Sequence, residues 1–106
     1  MDATKYDVAF DLIMKAGNAR ATAMMATEAA RKYDFEEAGE LLHKAEGEMR
    51  LAHQAQIDLI QQEAQGNPID TNIILVHAQD HMTMAIMAKD NAEEFVHLYK
   101  IIKQLL

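Results

Sequence analysis

Three observations predict an all-α chain, an antiparallel up-down-up bundle of three helices. Half of the 106 residues are hydrophobic, but alanine and eight methionines supply much of that half, with three Phe, three Tyr and no Trp. Such a composition favours helix over sheet. Apolar residues recur at three- and four-residue steps along most of the chain, and only short breaks interrupt them, one of which holds the single proline, Pro68. Short connections force consecutive helices to run antiparallel. With no repeat, low-complexity tract or long linker, residues 1–106 read as one domain.

The first helix is expected from about Thr4 to Ala30. Tyr6, Phe10, Ile13, Met14, Gly17, Ala21 and Met24 form its apolar stripe, and Asp7, Asp11, Lys15 and Asn18 lie off it. Gly17 in mid-helix costs about 1 kcal/mol relative to Ala, which reads either as a tolerated packing glycine or as close approach of another helix or of a ligand. After Arg31 to Tyr33, Asp34 followed by Glu37 has the form of a capping box, and Glu36 and Glu37 suit the positive end of a helix dipole. The second helix then follows a stripe of Phe35, Ala38, Leu41, Leu42, Ala45, Met49, Ala52, Gln56, Leu59 and Ile60 to about Ala64. His43 and His53 on this helix lack a carboxylate partner at helical spacing on a buried face and read as solvated.

Gly66, Asn67 and Pro68 break the pattern. Gly66 suits the left-handed conformation that ends a helix, and Asp70 is the expected cap of the third. That helix should run from Thr71 to about Gln104. Its main stripe passes through Ile73, His77, Asp80, His81, Met84, Ala88 and Asn91 and continues through Phe95, Leu98, Ile102 and Leu105. Leu75, Met82 and Ile86 are apolar on another face, more than two neighbouring helices would cover, so a homo-oligomer built through this helix is expected.

Composition also excludes functions. The formal charge of −7, from 17 acidic and 10 basic residues, leaves no basic surface for a phosphate backbone. Zero cysteines rule out disulfides, thiolate zinc sites and cysteine nucleophiles within the chain. Asp2, Lys5, Asp7 and Asp11 stand where a signal peptide needs an apolar run, and charges interrupt every stretch before the roughly 18 residues a membrane span needs. The expectation is a soluble, cytoplasmic protein without membrane insertion.

The chemistry concentrates in residues 70–91. An ionised carboxylate on an apolar seam is costly unless paired or coordinated, so Asp80 calls for a partner or a cation, and His77 and His81 sit one turn away. If a symmetry axis lay near Asp80, its copies would converge on a point, and a hard ion such as Mg²⁺ would suit the oxygens. A neutral imidazole can also accept and pass on a phosphoryl group, with His77 as acceptor and His81 donating a hydrogen bond. As an i, i+3, i+4 set, His77, Asp80 and His81 equally have metal-site spacing, although the other helices offer no inward Glu-x-x-His partner. Spacing alone leaves a structural pair, a metal-binding or scaffold module, and a phosphocarrier all open.

Val76-His77-Ala78-Gln79-Asp80-His81-Met82 resembles the active-site motif of the lactose/cellobiose-type enzyme IIA components of the bacterial phosphoenolpyruvate-dependent sugar phosphotransferase system. Ala16 to Arg20, Tyr33 to Ala38, Ala52-His53 with Gln56, and Lys89-Asp90 through Tyr99 extend the resemblance over nearly the whole chain. It implies a homotrimer of three-helix subunits whose motif histidine, here His77, takes a phosphoryl group from phosphohistidine in HPr. The group passes to a cysteine of a IIB component, driving uptake and phosphorylation of a β-linked disaccharide of lactose, cellobiose or chitobiose type. It further implies one Mg²⁺ per trimer at the axis, bound by Asp80, and a supporting role for His81. The departures, at Asn67 to Asp70 and Lys100 to Leu106, do not touch the motif.

Overall fold

The computed structural model describes residues 6–106. The expected start of the first helix at Thr4 lies outside them. Three helices follow, α1 (Asp7–Arg31), α2 (Phe35–Ala64) and α3 (Ile73–Leu105), packed side by side into a rod of 59 × 25 × 18 Å. α1 is the central element, lying along both of its neighbours, whereas α2 and α3 meet only sparsely. The up-down-up order makes α1 and α3 parallel. Val8 and Ala9 near the start of α1 line a cavity with Leu75 near the start of α3, and Lys103 stands over the Tyr33 ring just beyond the end of α1, 4.9 Å from its centroid.

Local chemistry defines the helix ends. Asp34 caps α2, its carboxylate accepting from the Glu37 amide at 3.1 Å. The reciprocal half of a capping box is not made, because the Asp34 amide donates to the Ala29 carbonyl at 2.9 Å. With Tyr33 N–H to Ala30 (2.9 Å), that bond closes a Schellman turn at the end of α1. The left-handed residue of the turn is Tyr33, at φ 63°, where an L side chain costs about 1–2 kcal/mol. The Phe35 ring, 6.1 Å away centroid to centroid, and the Lys103 ammonium offset part of that cost. The same turn recurs at the end of α2 with the expected glycine: Gly66 has φ 88°, and Asn67 N–H reaches the Gln62 carbonyl at 3.1 Å.

The cap of α3 differs from expectation. Asn72, not Asp70, accepts from the Leu75 amide, at 2.9 Å, and its own side-chain amide donates to the Asp70 carbonyl at 3.3 Å. The chain stays non-helical through Asn72, so the third amide of the helix belongs to Leu75. That amide is in reach of residue 72 and beyond residue 70.

The face of α1 turned inward is also not the expected one. Ala9, Leu12, Ala16, Ala19, Ala23, Ala26 and Ala30 are buried, whereas Phe10 is 54% exposed and Met14 67% exposed, with Met24 exposed beside them. Both faces of this helix are apolar. The alanine face went inward because small side chains allow close approach to two neighbours at once, and interaxial distance follows the size of the contacting side chains. In α2 the expected stripe holds through Ala38, Ala45, Met49, Ala52 and Leu59, but Ile60 is exposed.

In α3 the assignment of faces is reversed. Ala78, Met82, Ala85, Ala92 and Val96 are buried, and Leu75 packs against the same core. The expected uncovered face of Leu75, Met82 and Ile86 therefore belongs largely to the core, with Met82 only 1% exposed. An uncovered apolar face does exist on the opposite side: Ile73, Val76, Met84, Met87, Leu98, Ile101 and Leu105 are all exposed, with Asp80 among them.

Candidate functional site

His77 is exposed and His81 half-buried on the flank of α3 nearest α1. One helical turn separates them, so their side chains stack along the axis. The rings stand edge to face, perpendicular and with centroids 4.5 Å apart. Their Nε2 atoms are 3.0 Å apart, so one nitrogen donates a hydrogen and the other offers its lone pair, the tautomer deciding which.

His77 opens into a recess of about 340 Å³ whose other walls are Phe10 and Ile13 of α1 and Ile73, Ile74, Val76 and Asp80 of α3. The exposed Phe10 and Ile73 thus find a use as walls of the site. Asp80 sits on the rim and is exposed. The carboxylate has no hydrogen bond or ion pair among the described residues. His77, Asp80 and His81 do not converge on a point, and among the described residues no cluster of three or more such ligands could hold a metal ion within one chain.

Two polar links fix α3 against α2 where apolar contact is sparse. Gln56 donates through Nε2 to Gln79 Oε1 at 2.5 Å in a half-buried position, anchoring the residue midway between His77 and His81. Nearly three turns on, Lys89 reaches Glu46 of α2 and, at 2.9 Å, Glu93 of its own helix. The hydrogen bond to Glu46 is the largest influence holding the Lys89 ammonium above its ordinary range. The same hydrogen bond holds the Glu46 carboxyl below its own. Sequence reasoning did not assign these positions a structural task. Their signal was a glutamine on the apolar stripe of α2 and another inside the motif, each needing a polar partner.

At Gly17, which is half-exposed, a side-chain carbon would meet nothing within 4 Å among the described residues, so close approach of another helix is not what the glycine serves within this chain. His43 and His53 are exposed, as expected, and no described helix is long and apolar enough to cross a membrane.

Relatives share the whole architecture. The family described as "PTS system, Lactose/Cellobiose specific IIA subunit" matches residues 7–100. The lichenan-specific phosphotransferase enzyme IIA component of Bacillus subtilis is 41% identical, over 92% of this chain and 88% of its own length. The crystal structure of the PTS cellobiose-specific enzyme IIA from Bacillus anthracis superimposes with a TM-score of 0.94 at 40% identity, over 98% of this chain and 95% of that one. A IIA(chitobiose)–HPr complex of the Escherichia coli phosphotransferase system matches with a TM-score of 0.81 at 28% identity, over 93% of this chain and 96% of that one. Three helices, the paired motif imidazoles on α3 and similarity along nearly the full length agree: this chain belongs to the lactose/cellobiose-specific IIA family of the phosphotransferase system.

Proposed function

We propose that the whole chain acts as one phosphocarrier unit, with His77 taking a phosphoryl group from phosphohistidine of HPr and handing it to a cysteine of a IIB component. The observation that carries this reading is an exposed imidazole at the mouth of a recess, with a second imidazole 3.0 Å from its Nε2. In the first step a lone pair of neutral His77 attacks phosphorus and the donor's P–N bond breaks; the donor, protonated on its other ring nitrogen, leaves as a neutral imidazole, and His77 keeps its N–H as the phosphorylated imidazolium. In the second a cysteine thiolate attacks, the His77 P–N bond breaks, a P–S bond forms, and His77 is restored. Such transfers ask mainly for alignment and for stabilisation of the equatorial oxygens. An N–H of His81, once His77 has given its lone pair to phosphorus, is free to donate to one of those oxygens.

HPr as donor is supported by the family's IIA(chitobiose)–HPr complex. A β-linked disaccharide as the sugar is supported by the relatives named for cellobiose and for lactose. We assign the chain to the cytoplasm, in keeping with a IIA component that exchanges a phosphoryl group with HPr and IIB.

The exposed apolar face of α3 supports a homotrimer with α3 nearest the axis, since an uncovered face of this length marks an interface. Asp80 lies within that face, so three carboxylates would meet at the axis. One exposed oxygen donor group per chain with no competing partner fits a hard cation such as Mg²⁺. The ion would supply neutralisation of three like charges.

Intact mass after incubation with phosphoenolpyruvate, enzyme I and HPr tests the reading. One acid-labile phosphoryl group per chain, absent from the His77→Ala variant, is expected. A chain that gains no mass, or a variant that still does, overturns it.

A further inference from the structure

We infer that Arg20 is the residue that binds the phosphoryl group carried by His77, reaching it over the open step that Gly17 leaves in α1; this rests on the phosphocarrier reading. The two helices that flank the recess are parallel, so their registers rise together. Ile13 of α1 and His77 of α3 line the same recess. One turn further along each helix, about 6 Å up, Gly17 comes level with His81. Arg20 lies seven residues after Ile13, two turns within about 20°, and so falls on the same line of α1.

Helical side chains lean back toward the amino terminus of their helix, which carries the long Arg20 side chain from its own level down toward Gly17. The space at Gly17 itself is open, since a Cβ there would find no atom of the described residues within 4 Å. A leucine or methionine there would occupy the space beside the imidazoles.

Charge gives the second line of argument. A phosphoryl group on His77 adds close to two negative charges beside Asp80, which lines the same recess. Several other basic groups are committed elsewhere: Lys15 pairs with Asp11 at 2.8 Å, Arg31 with Glu28, and Lys89 with Glu46 and Glu93, while Lys100 and Lys103 stand over the Phe35 and Tyr33 rings. Arg20 is exposed and, among the described residues, has neither an ion pair nor a hydrogen bond. A planar guanidinium matches phosphoryl oxygens with paired donors, which lysine cannot reproduce.

The test compares the parent chain with Arg20→Gln and Arg20→Lys, each phosphorylated by phosphoenolpyruvate, enzyme I and HPr and titrated by ³¹P NMR. A bound guanidinium favours the dianion, so the phosphoryl resonance of Arg20→Gln should titrate about 0.5 pH unit or more higher than in the parent, with Arg20→Lys in between. Transfer from HPr should slow by about 10-fold in Arg20→Gln. Thermal melts matching the parent are expected, since Arg20 is exposed. A titration that does not move in Arg20→Gln overturns the inference whatever the transfer rate does, because a rate effect alone would place Arg20 at a docking surface. A parent chain that shows no phosphoryl resonance overturns the phosphocarrier reading itself, a result distinct from an unmoved titration.

Discussion

The Nε2 atoms of His77 and His81 lie 3.0 Å apart with the two rings perpendicular, so the pair is joined by a single hydrogen and each imidazole dictates the tautomer of the other. Two i, i+4 residues on one helix meet this way without any tertiary contact. The consequences of the arrangement are asymmetric. His77→Ala should abolish phosphorylation while leaving helicity intact, since an exposed side chain is removed and no cap is touched. His81→Ala should slow transfer by 10- to 100-fold, about 1.4 to 2.7 kcal/mol of barrier, without abolishing it. Label that migrates to His43, His53 or His97 in His77→Ala, followed by peptide mapping, would refute the assignment.

Asp80 allows a test of the assembly. If three copies meet at an axis, chelation should lower the melting temperature of the parent or loosen the trimer, because a bound cation stabilises only the assembled state. Asp80→Leu removes both the charge and the need for the ion. Replacing a buried charge cluster with apolar side chains is often neutral or stabilising by roughly 1 to 4 kcal/mol. The variant should therefore stay trimeric, melt no lower than the parent and be indifferent to EDTA. Sedimentation and melts with and without chelator decide the matter, and a monomeric Asp80→Leu protein is the contrary result.

Gly17→Ala should raise the stability of the fold. Glycine in a helix interior costs up to about 1 kcal/mol relative to alanine, and the added methyl meets nothing within 4 Å in this chain. Chemical denaturation should yield a higher midpoint at unchanged slope. A lower midpoint would mean that another chain packs against residue 17 in the assembly.

Lys89 links α2 to α3 from a side chain only 15% exposed. Lys89→Ala should cost about 1 to 2 kcal/mol through loss of charge-assisted hydrogen bonds. The pH dependence has a definite sign. Glu46 is held below its ordinary range, so its contribution is present above the unfolded value and is lost as pH falls through the depressed one. Lys89 is held above its range, so its contribution is present below the unfolded value and is lost as pH rises through the elevated one. The stability difference between parent and Lys89→Ala should be greatest between those limits, near neutrality, and shrink at both extremes. Urea melts across pH check this, and a difference that grows toward low pH would contradict it.

Much of the architecture was legible because its determinants are local. Asp34 three residues before Glu37, Gly66 before Asn67 and Pro68, and the three-and-four spacing of apolar side chains each act within a turn of their own backbone. They placed the ends of α2 correctly and brought the start of α3 within two residues. The expected cap, Asp70, gave way to Asn72, and the side chains of both can accept a hydrogen bond. The path of the loop decides which of them has an amide three residues ahead in helical geometry. The His77–His81 contact was equally legible, since spacing on one helix dictates it.

What the sequence by itself determined is therefore the helices, their order and the motif with its family. The tertiary structure alone decided which face of each helix turned inward. α1 carries apolar side chains on both faces, with alanines opposite Phe10, Met14 and Met24, and periodicity has no preference between two apolar stripes. α1 must lie against two helices along its length, and only the alanine face lets both axes come close. The large side chains were left outside, where Phe10 helps to wall the recess at His77. The same choice in α3 buried Met82 and left Asp80 on an uncovered apolar face, because inward and outward are properties of the packed pair rather than of either helix.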